Sequence, residues 1–286
     1  MLKHDEYPVA KWAKFLQVTR SGYYTYIKKR EEKAKVKELL KVEIKRIFDE
    51  SGGEYGPDRI CGILRKNGYK ASYKKVSEYM SEMNLISIYN RHKKCRSLTN
   101  SKKARGEGYP NLVRGEIFTE PRRVVCSDIT YLKSGEGWLY LCTVKDIITG
   151  EILGESFSEN MKKELVIQAF LNAQARHKLL AGTIFHSDRG SQYTSKEFMS
   201  ILKLYGIRQS FSRVGMPGDN AWAESFFATL KKVCIHFKYF ATREELKQEV
   251  FGWIHSRYNS NRVQKRLGYV SPREYAATLI KESKVA

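Results

Sequence analysis

The chain has 286 residues, 42% of them hydrophobic and 12% aromatic, enough for one large core or two modest ones and outside the range of disordered chains. Lys and Arg total 52 against 31 Asp and Glu, a formal net charge of +21. That excess argues for a polyanionic partner rather than a merely soluble basic protein. The five cysteines are odd in number and form no Cys-x-x-Cys pair, which argues against a disulfide framework or structural zinc and fits a reducing cytosol. The first residues, MLKHDEYPVAKW, lack the apolar core of a signal peptide, and no segment reaches the roughly 18 apolar residues of a membrane span.

The charge is spread along the chain. Residues 1–120 hold 27 basic and 15 acidic residues, and residues 121–286 hold 25 and 16. A phosphate backbone lying across both halves accounts for this, since each neutralised phosphate releases condensed counterions.

From Pro8 to about Lys29 the pattern predicts a short helix, a turn at Gln17–Thr19 and a second helix, with Thr19 or Ser21 as its cap. A separate basic amphipathic helix is expected at about 34–49. A further helix pair follows, with a stop at Gly68 and a cap at Ser72. Helix pairs of this kind occur in helix-turn-helix DNA readers and in ordinary helical hairpins alike. From 89 to 115 the chain is polar, basic and aperiodic, with Lys93, Lys94 and Arg96 in its densest part. It reads as a linker, as an arm tracking a phosphate backbone, or as both.

From about residue 116 the period changes. RRVVCSDITYLK, GWLYLCTVKDII and EILGESFS read as strands, then a helix from about 162, a strand ending in HSDRG, a helix at SKEFMSILKLYG and a strand at IRQSFS. The order predicts an α/β fold, a mixed five-stranded sheet with flanking helices, preceded by an all-α region. Two helical stretches, starting near Asn220 and Arg243, complete the chain. The expected division is 1–88, helical and DNA-binding; 89–115, linker; 116–240, core; 241–286, helical extension.

Three carboxylates stand out. Asp128 sits inside the first strand between Val125 and Ile129, where an unpaired charge is costly; a metal ion, an open sheet edge or a basic partner would each explain it. Asp188 ends an apolar strand at a glycine-containing turn, where α/β sheets collect ligands and where ordinary turn aspartates also occur. Glu224 lies on a helix, four residues after Asn220 and seven before Lys231, so the three share a helix face. Trp222, Phe226 and Phe227 fall elsewhere on that helix and read as core. Asp219 and Asn220 read as caps or substrate contacts. His186 reads either as packing on the opposite face from Asp188 or as support for it.

The order Asp, Asp, Glu, with 35 residues between Asp188 and Glu224 and a basic residue seven further on, resembles the core of retroviral integrases and related transposases. SDITYL, FHSDRGSQYTS, GMPGDNAWAESFFATLK and YNSNRVQKRLGYVSPREY narrow the resemblance to the insertion-sequence-three family, second-frame (OrfB) proteins. It is strong over about 120–280 and looser over 40–90. Gln264 stands where many relatives carry His.

The resemblance implies a ribonuclease H-like core in which Asp128, Asp188 and Glu224 hold two Mg²⁺ or Mn²⁺ ions. It further implies cleavage and 3′-hydroxyl strand transfer on double-stranded DNA. It also favours a DNA phosphate contact from Lys231 over a solvated helix position, while Asn220 reads as a substrate contact or a cap, and Arg262 and Arg266, in the late basic segment, as DNA contacts or fold supports. Pairing two DNA ends suggests at least a dimer, with the upstream-frame protein as a possible fusion partner. A nonenzymatic repressor, an inactive remnant and a simple nuclease are the competing readings.

Overall fold

The computed structural model describes residues 8–88, 110–213 and 220–285. The chain forms two compact units that divide between Ser87 and Ile88.

The first unit is helical: α1 (Val9–Phe15), α2 (Arg20–Glu50), α3 (Pro57–Lys66) and α4 (Tyr73–Glu82). The break between α1 and α2 falls where expected. Gln17 takes φ 54°, and Thr19 caps α2 by accepting from the Gly22 N–H. Ser72 caps α4 in the same way. One expectation fails, because the second helix and the basic helix at 34–49 are a single α2 of 31 residues, about 46 Å long at 1.5 Å per residue. The stretch KKREEKAKVKELL contains neither Gly nor Pro and is rich in strong helix formers, so nothing ends the helix there. Only the second half of α2 buries side chains. Leu40, Ile44, Ile47 and Phe48 face α3 and α4, whose Ile60, Leu64, Val76 and Met80 complete this core. Lys37 and Lys41 reach Glu82 of α4 at 3.0 and 2.9 Å.

The second unit is built on a five-stranded sheet of order β3-β2-β1-β4-β5. β1 (Val124–Ser134), β2 (Gly137–Asp146) and β3 (Ile152–Ser158) form an antiparallel meander, and β4 (Ile184–Ser187) and β5 (Arg208–Phe211) run parallel to β1. α5 (Lys163–His177) and α6 (Lys196–Leu204) cover one face. Val125, Cys142, Val144, Leu153 and Phe185 meet Val166, Phe170 and Phe198 there. α5 lies so close to β3 that a Cβ on Gly154 would stand 2.4 Å from the Ala169 carbonyl oxygen and 2.5 Å from the Ala173 nitrogen, which is why β3 carries a glycine in its middle.

The other face carries α7 (Ala221–Leu230), which continues as a π-helical turn (Lys231–Ile235), and α8 (Arg243–Gly252), which continues as another (Trp253–Asn259). Phe226, Phe227, Leu230, Leu246, Val250 and Trp253 pack there on Leu132, Leu139, Leu141 and Ile152. Residues after 240 therefore share a core with the sheet. A helix beyond the two expected, α9 (Pro272–Val285), closes the chain. Asn259 completes the edge of β3: its Oδ1 accepts from the Ile152 N–H at 2.9 Å and its Nδ2 donates to the Ile152 carbonyl at 2.8 Å. A side-chain amide thus does the work of a neighbouring strand. Strand order and senses are those of a ribonuclease H-like fold.

Candidate catalytic site

The register of the parallel β1–β4 pair brings the two aspartates together. Val124, Val125 and Cys126 lie opposite Ile184, Phe185 and His186. Two residues beyond the last pair come Asp128 on one strand and Asp188 just after the other. Strand alternation puts both on the face of Cys126 and His186, where α7 packs through Ala223 on Val124 and Cys126. β4 ends at Ser187, so Asp188 opens a loop.

Asp128 is half-buried, faces Thr143 of β2, and accepts the Ile129 N–H at 2.8 Å. Its pKa is pushed up to about 7, first by burial and then by the charge of Asp188. The Ile129 N–H works against the rise, Glu224 adds to it, and Lys231 offsets part of it. Asp188 reaches solvent, yet the protein packed around its carboxyl holds it above the usual carboxylate range, with the Gly190 N–H at 3.0 Å in partial compensation. A Cβ on Gly190 would come within 3.0 Å of Asp188 Oδ1, so the glycine keeps that carboxylate's surroundings open.

The loop after Asp188 is held from below by a residue that sequence reading passed over. Tyr193 is buried, and its hydroxyl lies 2.9 Å from Ser127 Oγ and 3.7 Å from Cys142 Sγ. Its carbonyl accepts from Gln209 Nε2 at 2.7 Å. The tyrosine thus ties the loop to β1 one residue before Asp128. Its ring packs on Phe185 and Phe198, which leaves the hydroxyl as the polar tip that needs a partner.

Glu224 is exposed in the first turn of α7. Its charge acts on Asp128, but among the described residues no three His, Cys, Asp or Glu side chains form a group able to hold a metal ion. The two aspartates are brought side by side, and Glu224 is near without closing the set. Lys231 begins the π-helical turn, with its ammonium 4.7 Å from the Tyr131 ring centre.

Asn220 stands at the N-cap position of α7 but makes no cap bond, and its buried Oδ1 has no partner. Asp219, Lys93, Lys94 and Arg96 lie outside the described residues. Arg262, read as a DNA contact or a support for the fold, is buried, and burial lowers its pKa to about 10; this is the placement of the second alternative. Arg266 is exposed but directs Nη1 to the Ile148 carbonyl at 2.8 Å and lies over Gly150, bracing the β2–β3 turn.

His186 shares the face of Asp188 rather than opposing it, because two residues complete one strand period. It is buried, with Nδ1 at 2.9 Å from Ser210 Oγ and Nε2 at 3.2 Å from Ser212 Oγ, linking β4 to the β5 region. Phe226 and Phe227 are core as expected, whereas Trp222 is 37% exposed, its ring edge-on to His186 at 6.4 Å.

A five-stranded sheet of this order with helices on both faces is the frame of an integrase-type polynucleotidyl transferase core. Residues 119–217 and 224–278 match models described as integrase core domain, and residues 35–93 match an HTH-like domain. The chain is 37% identical over 241 residues to the transposase for insertion sequence element IS904 of Lactococcus lactis subsp. lactis, covering 84% of this chain and 94% of that one. It is 33% identical over 281 residues to transposase InsF for insertion sequence IS3A of Escherichia coli, covering 96% of each. It is also similar to the catalytic core domain of BIV integrase, 16% identical with a TM-score of 0.44, over 58% of this chain and 99% of that one. The chain belongs to the insertion-sequence-three family of bacterial transposases. No helix among the described residues is long and apolar enough to cross a membrane.

Proposed function

We propose that the chain recognises the terminal repeats of its element and both cuts and joins DNA there, with Asp128, Asp188 and Glu224 as catalytic ligands of two Mg²⁺ or Mn²⁺ ions. The observation that carries this reading is the parallel β1–β4 register, which brings Asp128 and Asp188 together two residues past its last pair, with Glu224 adding its charge to the Asp128 carboxyl. The donor set suits such ions: hard carboxylate oxygens crowded by like charge, which Lys231 offsets only in part. Two ions held there supply a Lewis acid at the attacking and the departing oxygen.

The chain's own residues do the rest. Asp128, braced through its Ile129 N–H bond, shares its charged surroundings with Asp188 and Glu224. Gly190 leaves room beside Asp188 for a phosphate. Lys231, whose charge already reaches Asp128, meets the scissile backbone, and Asn220 meets it through its amide N–H. Water as nucleophile gives a nick and a 3′-hydroxyl; that hydroxyl as nucleophile gives joining, with no covalent protein–DNA intermediate.

We assign residues 1–88 to end recognition, 89–115 to a basic arm in which Lys93, Lys94 and Arg96 follow phosphates, 116–240 to catalysis and 241–286 to a supporting extension. The working form is at least a dimer on two DNA ends in the bacterial cytosol, alone or fused to the upstream-frame protein. The test is nicking and joining of DNA carrying the element's ends in Mg²⁺. Wild type produces both products and Asp188→Asn neither. Equal nicking by the two proteins removes the catalytic assignment, and nicking without joining makes the protein a nuclease.

A further inference from the structure

We infer that Lys145 is a positioning residue for the metal-ligating glutamate: it ties the first turn of α7 to the sheet so that Glu224 can meet Asp128. The inference rests on the carboxylate reading above. Lys145 lies in β2 opposite Cys126, two residues along from the Thr143 that faces Asp128. It is only 5% exposed, and its Nζ donates to the carbonyl of Trp222 at 2.6 Å. Trp222 is two residues before Glu224.

A buried ammonium is costly unless paired, yet among the described residues no carboxylate lies within ion-pair distance of Lys145. It also places a cation beside the N-terminal turn of a helix, where the dipole disfavours positive charge. Two unfavourable placements in one residue require a return. Its single acceptor identifies the return as the position of that turn.

The rest of α7 shows why such a tether is needed. Phe226, Phe227 and Leu230 anchor the helix further along, while at its start Asn220 supplies no cap bond and only Ala223 packs on the sheet. The Trp222 carbonyl also accepts from Ser225 Oγ at 2.9 Å, so it is drawn out toward side-chain donors. The cation that lowers the Asp128 carboxyl, after the Ile129 N–H, is Lys231. Lys145 therefore works through the placement of the turn rather than through its charge on the aspartate.

The test compares wild type, Lys145→Met, Lys145→Arg and Glu224→Gln. Unfolding midpoints are recorded in EDTA and in Mn²⁺, and joining is measured with a pre-cut 3′-hydroxyl end. The methionine variant should keep the EDTA midpoint and DNA KM but lose most of the Mn²⁺-induced rise. Its kcat should fall about a hundredfold, the scale of an ångström-sized misplacement. Arginine, which retains a donor, should restore both. A wild-type Mn²⁺ response in Lys145→Met alongside a lost one in Glu224→Gln overturns the inference alone. An unchanged response in Glu224→Gln overturns the carboxylate reading and the inference with it. Should the methionine variant not fold, a folded arginine variant that has lost the Mn²⁺ response overturns the inference, and one that keeps it supports it.

Discussion

Asp128→Asn should make the metal-free protein more stable at pH 8 and leave it much closer to wild type at pH 5. The carboxyl titrates near 7 in the folded chain against an ordinary 3.8. At about 1.4 kcal/mol per pH unit the rise amounts to up to roughly 4 kcal/mol. Because the folded pKa is the higher one, the stability this group contributes is fully present below its unfolded pKa and is lost as pH rises through 7. Asparagine cannot ionise, yet its Oδ1 still accepts the Ile129 N–H. At pH 8 the variant therefore escapes the whole penalty, and at pH 5 less than half of the difference remains. For a unit of this size the gain is roughly 8–16 °C in unfolding midpoint. Differential scanning fluorimetry in EDTA across pH 5–8 reads it, and Mn²⁺ should narrow the gap by stabilising wild type alone. A gap independent of pH, or a variant that melts below wild type at pH 8, would refute the reasoning.

Other substitutions test the frame around the site. Arg176 makes two 2.8 Å bonds to Glu155, whose burial would raise its pKa but which His255 and Arg176 together hold below the usual range. Arg176→Met leaves that buried carboxylate to His255 alone and should cost about 1–3 kcal/mol in urea unfolding; a loss within experimental error would show the pair to be dispensable. Gly154→Ala drives a Cβ into the α5 backbone and should cost about 1–3 kcal/mol. Wild-type stability there would mean that α5 can move away. Asn259→Leu orphans both polar groups of Ile152 and should cost about 2–4 kcal/mol, with faster amide exchange along β3 as the local signature.

Much of the core was legible because its signals are local. Alternating apolar residues located β1 and β2, and Asp128 stood out as a charge amid valines and isoleucine. Asp188 stood out because an apolar run stopped at Asp-Arg-Gly, and Glu224 because a helical period surrounded it. What sequence alone hid was pairing at long range. The meeting of Asp128 and Asp188 depends on a parallel register across 60 residues, the separation of Cys126 from His186. Lys145, Tyr193 and Asn259 act on partners 77, 66 and 107 residues away, so no window of sequence contains both halves of the interaction. Arg262 stayed open between DNA contact and fold support for the same reason, since its burial comes from elements that meet only in the folded unit. The false break in α2 was a different error: a run of charged residues resembled a connection, although its helix propensity was high throughout.

The direct measurement is the number of Mn²⁺ ions bound per catalytic unit on DNA carrying the element's end, titrated by electron paramagnetic resonance. The account predicts two for wild type and fewer for each of Asp128→Asn, Asp188→Asn and Glu224→Gln. Two ions still bound by Glu224→Gln, with wild-type affinity, would contradict it.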